Sequence, residues 1–500
     1  MADFDLAVIG SGAGGAAIAR DAAGRGVKVL LLDESDLASD ASSGPHMLVQ
    51  SALQSRCRSL GTWRAVLAER EVMLATAPHL ARAQRLVLLP QDSARTPLGL
   101  RGRLFVYDHL ASRRILPATQ ALDLTHHPFG TALRRTFAFG FACSDCRVDD
   151  VRLPVANARE AADRGAVVRT RTRCVRAERS EEWTLVVNAR GERLSIAARV
   201  LVNAAGPGLE KIAAKLCGGA SPIAIRNVKE TYIVAARAFD HDGGYLLPDR
   251  RGGFVLALPL GADSMLIGPL EKAYSGAGAP AAPTAEEVAS LCALANHYFR
   301  HAIPLDDVSP FSCTRAIPKR AESAPTSTVP DHVIHLDKPR GLAPLLTVCG
   351  GHALLARRLA ETAVDRIARF FAAPPSWTRG APLPGGDFAV DGLDALVAAT
   401  ERRWPFLNAP HARRLVSSYG TRVERILGTA AQAGDLGEQF GADLTAAEIA
   451  YLMDEEWAET AEDVLWRRSS LGLRLSATER ATLDRFMTTR SRAGAKKEFH

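Results

Sequence analysis

Apolar residues in this chain gather in short runs, and several of those runs end at glycine. The first, Phe4-Asp5-Leu6-Ala7-Val8-Ile9, predicts a buried strand. Gly10-x-Gly12-x-x-Gly15 follows at once, and then a helix of small residues. A second run over 27–32 predicts the next strand and is closed by Asp33. Good helix formers over 63–77 predict a helix, and 86–90 reads as a strand leaving that unit. Residues 147–153 lead into a helix through Ala162, which Arg164-Gly165 ends. Residues 167–175 alternate like a strand, and 183–188 with 194–197 read as a hairpin pair. The run 200–207, Val-Leu-Val-Asn-Ala-Ala-Gly-Pro, predicts a buried strand ending where backbone can approach a ligand closely. A strand-rich stretch over 225–275, a helix over 285–299 and a third strand–glycine–helix junction at 345–371 complete the pattern. Residues 374–386 read as a linker, and the remainder is almost wholly helical.

Composition adds limits. Five hundred residues exceed one small core, so two or three domains are expected. No run of eighteen or more apolar residues occurs, which predicts no membrane span, and no charged-then-apolar leader precedes the first strand. Both point to the cytoplasm. The net charge of +7 suits an anionic substrate or an anionic membrane surface, but the basic residues are spread out. Without an aromatic-interleaved basic patch, no nucleic-acid partner is expected. The eight cysteines are scattered, and Cys143-Ser-Asp-Cys146 has no second pair or matching histidines. Reduced core residues are therefore expected, with no metal site.

The first glycine run has the order a dinucleotide pocket needs. Gly10 allows the turn, Gly12 lets a pyrophosphate touch the backbone, and Gly15 lets the helix pack on the strand. The helix N-terminus faces the phosphates, and Asp33 is placed to accept from a ribose hydroxyl. An acid there argues against NADP; these residues alone leave NAD and FAD open.

Several longer blocks together resemble the FAD-dependent, quinone-linked glycerol-3-phosphate dehydrogenases. They are Asp5–Gly26, Ala68-Glu-Arg-Glu71, Ala77-Pro-His-Leu80, Tyr107-Asp-His-Leu110, Ser144-Asp-Cys146 with Val148-Asp-Asp150, Ala156-Asn157-Ala158 and Val202-Asn-Ala-Ala-Gly-Pro207. Leu383-Pro-Gly-Gly386, Asp435-Leu-Gly-Glu438, Glu455-Glu-Trp457 and Leu465-Trp-Arg-Arg468 continue the resemblance almost to the C-terminus. The resemblance implies an α/β fold: a Rossmann-like FAD-binding domain, an interleaved β-rich substrate domain and a C-terminal all-helical domain. FAD-binding segments are expected at about 1–80, 145–220 and 330–373, and the substrate domain at about 81–144 and 221–329. The oxidoreductase region then spans 1–385 and the helical domain 386–500. FAD is the implied cofactor, with contacts at Gly10, Gly12, Gly14, Gly15, Asp33, Ser42 and Ser43, and further on at Ala205, Gly206, Gly350 and Gly351. The implied reaction oxidises sn-glycerol 3-phosphate to dihydroxyacetone phosphate and passes the electrons to quinone. That in turn implies peripheral contact with the inner face of the plasma membrane, and a homodimer is a further candidate.

The chain departs from this family where substrate and flavin ring would be held. In the family's T-S-S-x-S-S-K-L-I-H-G-G-L-R-Y, the Lys falls on Met47, the His on Gln50, the Gly-Gly on Ser51-Ala52 and the Arg on Gln54. G-G-K-L-T-T-Y-R appears as Gly350-Gly-His-Ala-Leu-Leu-Ala-Arg357, K-G-S-H as Lys229-Glu-Thr-Tyr232, and I-G-T-T-D as Ile267-Gly-Pro-Leu-Glu271. Losing one charged hydrogen bond costs roughly 1.5–3 kcal/mol, or roughly 10- to 100-fold in binding. Arg315, the surviving arginine of G-V-R-P-L, is the candidate substrate-anion ligand, unless it is an ordinary ion-pair residue. His352 is the candidate base and Lys229 a candidate phosphate ligand; His46 and Tyr232 are lesser candidates. The alternative is a divergent paralogue that keeps the fold, with or without FAD, and has lost this activity or uses another alcohol or amine.

Overall fold

The protein is described by a computed structural model covering residues 2–39, 48–49, 53, 60–90, 98–216, 219–249, 253–275, 281–319, 332–350 and 353–495. Strand β1 (Phe4–Ile9), helix α1 (Ala13–Gly24) and strand β2 (Val29–Leu32) form where the glycine fingerprint predicts a βαβ unit. β1 pairs in parallel with β2 on one side and with the strand Glu192–Asn203 on the other. The strand Leu345–Cys349 adds in parallel beyond that one, and Val333–Asp337 closes the edge antiparallel. All three glycine-ending strands therefore finish side by side at one edge of a single sheet. That edge is where an open α/β sheet binds ligands.

The second sheet has nine strands, ordered Ser309–Pro318, Ile225–Ala236, Ser264–Tyr274, Phe254–Leu260, Gly244–Pro248, Ala81–Leu88, Phe139–Val148 and Leu48–Val49, with Gln120–Asp123 branching from Phe139–Val148. The helix Ala285–Tyr298 covers one face of this sheet. It starts at a capping box in which Thr284 and Glu287 satisfy each other's end groups. The C-terminal part is helical and has its own core around Leu415, Tyr419, Leu444, Leu452 and Leu483. The α/β class with a C-terminal helical domain is as the sequence predicts.

Two local readings change. Residues 194–197 and 200–203 are one continuous strand, Glu192–Asn203: its exposed first half pairs with the hairpin partner Trp183–Ala189, and its buried second half pairs with β1. The alternating run 167–175 is broken into Val167–Arg169 and Thr172–Arg179, because Arg171 takes a positive φ of 48°. The Arg171 guanidinium reaches Asp463 of the C-terminal domain at 2.7 Å, and that ion pair holds the bend. The six cysteines among the described residues are free, and five of them are buried.

The resembling blocks meet in space as buried polar pairs. Arg70 donates to the Tyr107 hydroxyl at 2.7 Å, and that hydroxyl donates to Asp145 at 2.8 Å. Arg357 grips Glu69 through two bonds of 2.7 and 2.8 Å, and Arg152 grips Glu456 of the C-terminal domain. Pairing of this kind is what makes burying such charges tolerable.

His79 sits under the 383–386 linker, 3% exposed, with no hydrogen-bond partner for Nδ1 among the described residues. Burial, with Arg152 and Arg82 nearby, pushes its pKa down to about 3. Between that value and the ordinary 6.5, the unfolded chain binds a proton that the folded chain refuses. Stability is therefore lost as pH falls through this window, by about 1.4 kcal/mol per pH unit from this one group. His79→Gln should flatten the fall in urea midpoint between pH 6.5 and pH 5; an unchanged slope would remove His79 as the cause.

Candidate cofactor and substrate site

The cofactor cradle is built by backbone. Gly10 takes φ +104°, and its amide donates to Leu32 O at 2.8 Å. A Cβ at Gly10 would stand 2.5 Å from the carbonyl oxygen of Ala204, and one at Gly15 would land on the carbonyl of Gly10 itself. A Cβ at Gly12, by contrast, would meet nothing within 4 Å. Two of the glycines are thus required for close packing, and the third leaves open space at the start of α1. The helix begins at Gly12 with no capping side chain, so its first amides face that space.

Asp33 closes β2 beside this opening. Its carboxylate accepts from Ser11 N and Ser11 Oγ, both at 2.7 Å, and from Ser35 N at 2.9 Å. Burial pushes its pKa up against these bonds. A carboxylate offers about four acceptor positions, so one remains for a ribose hydroxyl. The second junction, Ala204-Ala205-Gly206, is tied to β1 by Ala204 N donating to Ile9 O at 2.9 Å. Gly206 has φ +48° there. A Cβ at Gly350 would stand 2.4 Å from Leu359 of the helix Ala356–Ile367, so its small size serves packing of that helix, and one at Gly14 on α1 would meet the same side chain at 3.4 Å. Ser42, Ser43, Gly351, His46 and His352 lie outside the described residues, as do Met47, Gln50 and Gln54. The open glycine edge, the uncapped helix and the acid at the end of β2 together fit a dinucleotide with its pyrophosphate at Gly12.

A family model described as FAD dependent oxidoreductase matches residues 5–373, and a second, described as the C-terminal domain of alpha-glycerophosphate oxidase, matches 376–491. The chain belongs to the FAD-dependent oxidoreductases. Among its relatives, a glycerol-3-phosphate dehydrogenase of Pseudomonas aeruginosa is 38% identical over 490 residues, covering 97% of this chain and 95% of that protein. A D-erythritol 1-phosphate dehydrogenase of Brucella abortus is 36% identical, covering 95% of this chain and 96% of that protein. The aerobic glycerol-3-phosphate dehydrogenase of Escherichia coli is 35% identical, covering 97% and 98%. The crystal structure of the Bacillus halodurans glycerol-3-phosphate dehydrogenase complexed with FAD shares the fold, with a TM-score of 0.72 at 23% identity, covering 93% of this chain and 86% of that one. FAD is accordingly the dinucleotide for the cradle, and no metal-binding group of His, Cys, Asp or Glu occurs among the described residues.

On the substrate side, the sheet separates the two described cations. The strands Ile225–Ala236 and Ser309–Pro318 pair Val228 with Arg315 and Glu230 with Cys313, so these four side chains share one face. Lys229, one residue along, faces the other side. Its ammonium bonds Glu287 at 2.8 Å and Ala282 O at 3.1 Å, anchoring the helix Ala285–Tyr298. Lys229 and Arg315 therefore do not converge on one anion, and Lys229 has a structural role.

Arg315 lies between two carboxylates. Its Nε meets Glu230 Oε1 at 2.7 Å, and its Nη2 meets Glu271 Oε1 at 3.0 Å. Burial works against the guanidinium, but these two charges prevail and raise its pKa. The other oxygen of Glu230 accepts from the Tyr232 hydroxyl at 3.1 Å and from Cys313 Sγ at 3.7 Å. Asp150 lies at the turn after Phe139–Val148, where burial, with a smaller push from the charge of Glu230, raises its pKa to about 7. Glu230, Glu271 and Asp150 were not foreseen as site residues, although period-two alternation alone puts Glu230 and Lys229 on opposite faces.

Proposed function

We propose that this protein is an FAD-dependent dehydrogenase that oxidises a secondary alcohol of a small phosphorylated polyol to the ketone and delivers the electrons to quinone. Glycerol 3-phosphate is the reference substrate and dihydroxyacetone phosphate its product. The cradle of Gly10, Gly12, Gly15 and Ala204–Gly206 supports this reading most, since it fits a dinucleotide at the edge where the parallel strands of the first sheet end. Identities of 35–38% to glycerol-3-phosphate dehydrogenases over nearly the whole chain support the alcohol phosphate class.

Bound FAD supplies the two-electron acceptor for the carbinol hydrogen. The chain supplies position and the proton's destination. Gly10, Gly12 and the first amides of α1 hold the pyrophosphate, and Asp33 holds the ribose. We assign the alcohol proton to His352, three residues beyond the strand Leu345–Cys349. The strand Ser309–Pro318, which carries Arg315, runs beside the turn Gly206–Gly208 and the strand Leu345–Cys349. A quinone acceptor dissolves in the bilayer, so the proposal carries contact with the inner face of the plasma membrane. No described helix is long and apolar enough to cross it.

The test is turnover of glycerol 3-phosphate with a soluble quinone analogue under air, with both possible reduced products assayed. Quinol formed in step with dihydroxyacetone phosphate is expected. Hydrogen peroxide as the main product would make the protein an oxidase and overturn the acceptor.

A further inference from the structure

Asp33 is oriented by a side chain inside the glycine run itself. Any residue at position 11 brings a backbone amide to this carboxylate. Only a side chain with a donor brings a second bond, and Ser11 supplies it through Oγ. Both bonds are 2.7 Å long, and both end on Oδ2 of Asp33. A carboxylate oxygen has two lone pairs, so Ser11 alone fills Oδ2. Ser35 N takes one position on Oδ1 at 2.9 Å, and the other position on Oδ1 stays open.

The surroundings keep this arrangement fixed. Ser11 is 1% exposed, so water does not compete for its hydroxyl. Asp33 N donates to Arg169 O at 3.1 Å, and Asp33 O accepts from Thr172 N at 2.7 Å. The backbone of Asp33 is thus pinned from both sides of the bend at Arg171. Asp33 itself keeps part of its surface exposed, so a ligand can reach it.

The number of open positions decides what the acid can read. The adenosine ribose carries two neighbouring hydroxyls, and each donates once. A carboxylate with an open position on each oxygen takes both of them. A carboxylate with its one open position on Oδ1 takes a single hydroxyl.

Resting on FAD as the dinucleotide of the cradle, we propose that Ser11 is a positioning residue for the cofactor ribose: by filling Oδ2 it leaves Asp33 to accept from one ribose hydroxyl, through Oδ1. The Ser11 side chain acts through Asp33 and not on FAD directly.

The experiment titrates the flavin-free protein with FAD and with two analogues that lack the 2′- or the 3′-hydroxyl of the adenosine ribose. In the wild type, one analogue should bind about tenfold or more weaker than FAD, the worth of one hydrogen bond to a charged group, and the other within about threefold of FAD. Ser11→Ala frees a position on Oδ2, so both hydroxyls find an acceptor and the two analogues should bind within about threefold of each other. A Ser11 with only a structural role would weaken all three ligands by the same factor and leave their ratios as in the wild type. The thermal midpoint of Ser11→Ala is measured alongside, and the wild-type comparison decides by itself if the variant does not fold. Equal losses for the two analogues in the wild type, or unchanged ratios in folded Ser11→Ala, would overturn the role of Ser11 while leaving the cradle intact. A flavin-free protein that takes up none of the three ligands would overturn the cradle as well.

Discussion

Gly15→Ala is expected to yield a chain that retains no FAD. The added methyl would land on the carbonyl of Gly10, with the Gly10 carbonyl carbon at 3.0 Å and the Ala204 Cβ at 3.3 Å. The nearest of these atoms are backbone at the crossing of β1 and α1, so no side chain can swing aside. The helix itself must move, and it carries Ala16, Ala17, Ile18 and Ala19 into the core of the first sheet, all essentially buried. Overpacking of this kind costs about 1–3 kcal/mol where a site can adjust, and a backbone clash belongs at or above the upper end. Gly12→Ala is the informative control. Its methyl meets nothing within 4 Å and its φ of −64° suits any residue, so the apo-protein should fold. Only the pyrophosphate's approach is obstructed. Flavin-to-protein ratio and thermal midpoint, measured together, should both fall for Gly15→Ala; Gly12→Ala should lose flavin and keep the apo midpoint. Full flavin content in Gly15→Ala would remove the cradle from the cofactor site.

Arg468→Ala is expected to loosen the C-terminal domain and weaken FAD binding at once. Asp36, three residues beyond Asp33, is buried and receives Arg468 through Nη2–Oδ1 at 2.8 Å and Nη1–Oδ2 at 3.0 Å, and Arg467 through Nε at 2.7 Å. Arg468 also donates to Glu456 O at 2.8 Å, and Arg467 pairs with Asp463. The side chains of Arg468 and Asp36 are 0% and 1% exposed. Removing one partner of a buried pair costs about 3–5 kcal/mol when the other charge is left alone; Asp36 keeps Arg467, so the loss here belongs at or below the lower end of that range. The cost falls on the ribose loop, since the C-terminal domain holds that loop through Asp36. Thermal unfolding should come at lower temperature, and the FAD dissociation constant should rise about tenfold or more. Arg468→Lys keeps the charge but not the paired bonds and should fall between. An unaltered dissociation constant with a lowered midpoint would confine the clasp to stability.

The parts of the molecule fixed by neighbouring residues were legible in the chain. The strand–glycine–helix units need only local spacing, and so does the helix that begins at Ala285. The clasp at Asp36 was not legible as a contact, because its partners lie more than four hundred positions away; Leu465-Trp-Arg-Arg468 was visible only as a resembling block. The substrate side was half legible. Arg315 stood out as a charge, but its pairing with Glu230 and Glu271 depends on which three strands lie side by side and in what register. Lys229 was misleading for the same reason: a cation one residue from Glu230 belongs to the opposite face. The break at Arg171 follows from a tertiary ion pair with Asp463, which overrides the alternation of apolar residues around it.

The most direct measurement is the visible spectrum of the purified protein, recorded without oxygen before and after adding a phosphorylated polyol. A bound flavin spectrum that bleaches on addition is the predicted result. A colourless protein that also fails to take up added FAD would contradict it, since the glycine cradle would then hold no cofactor.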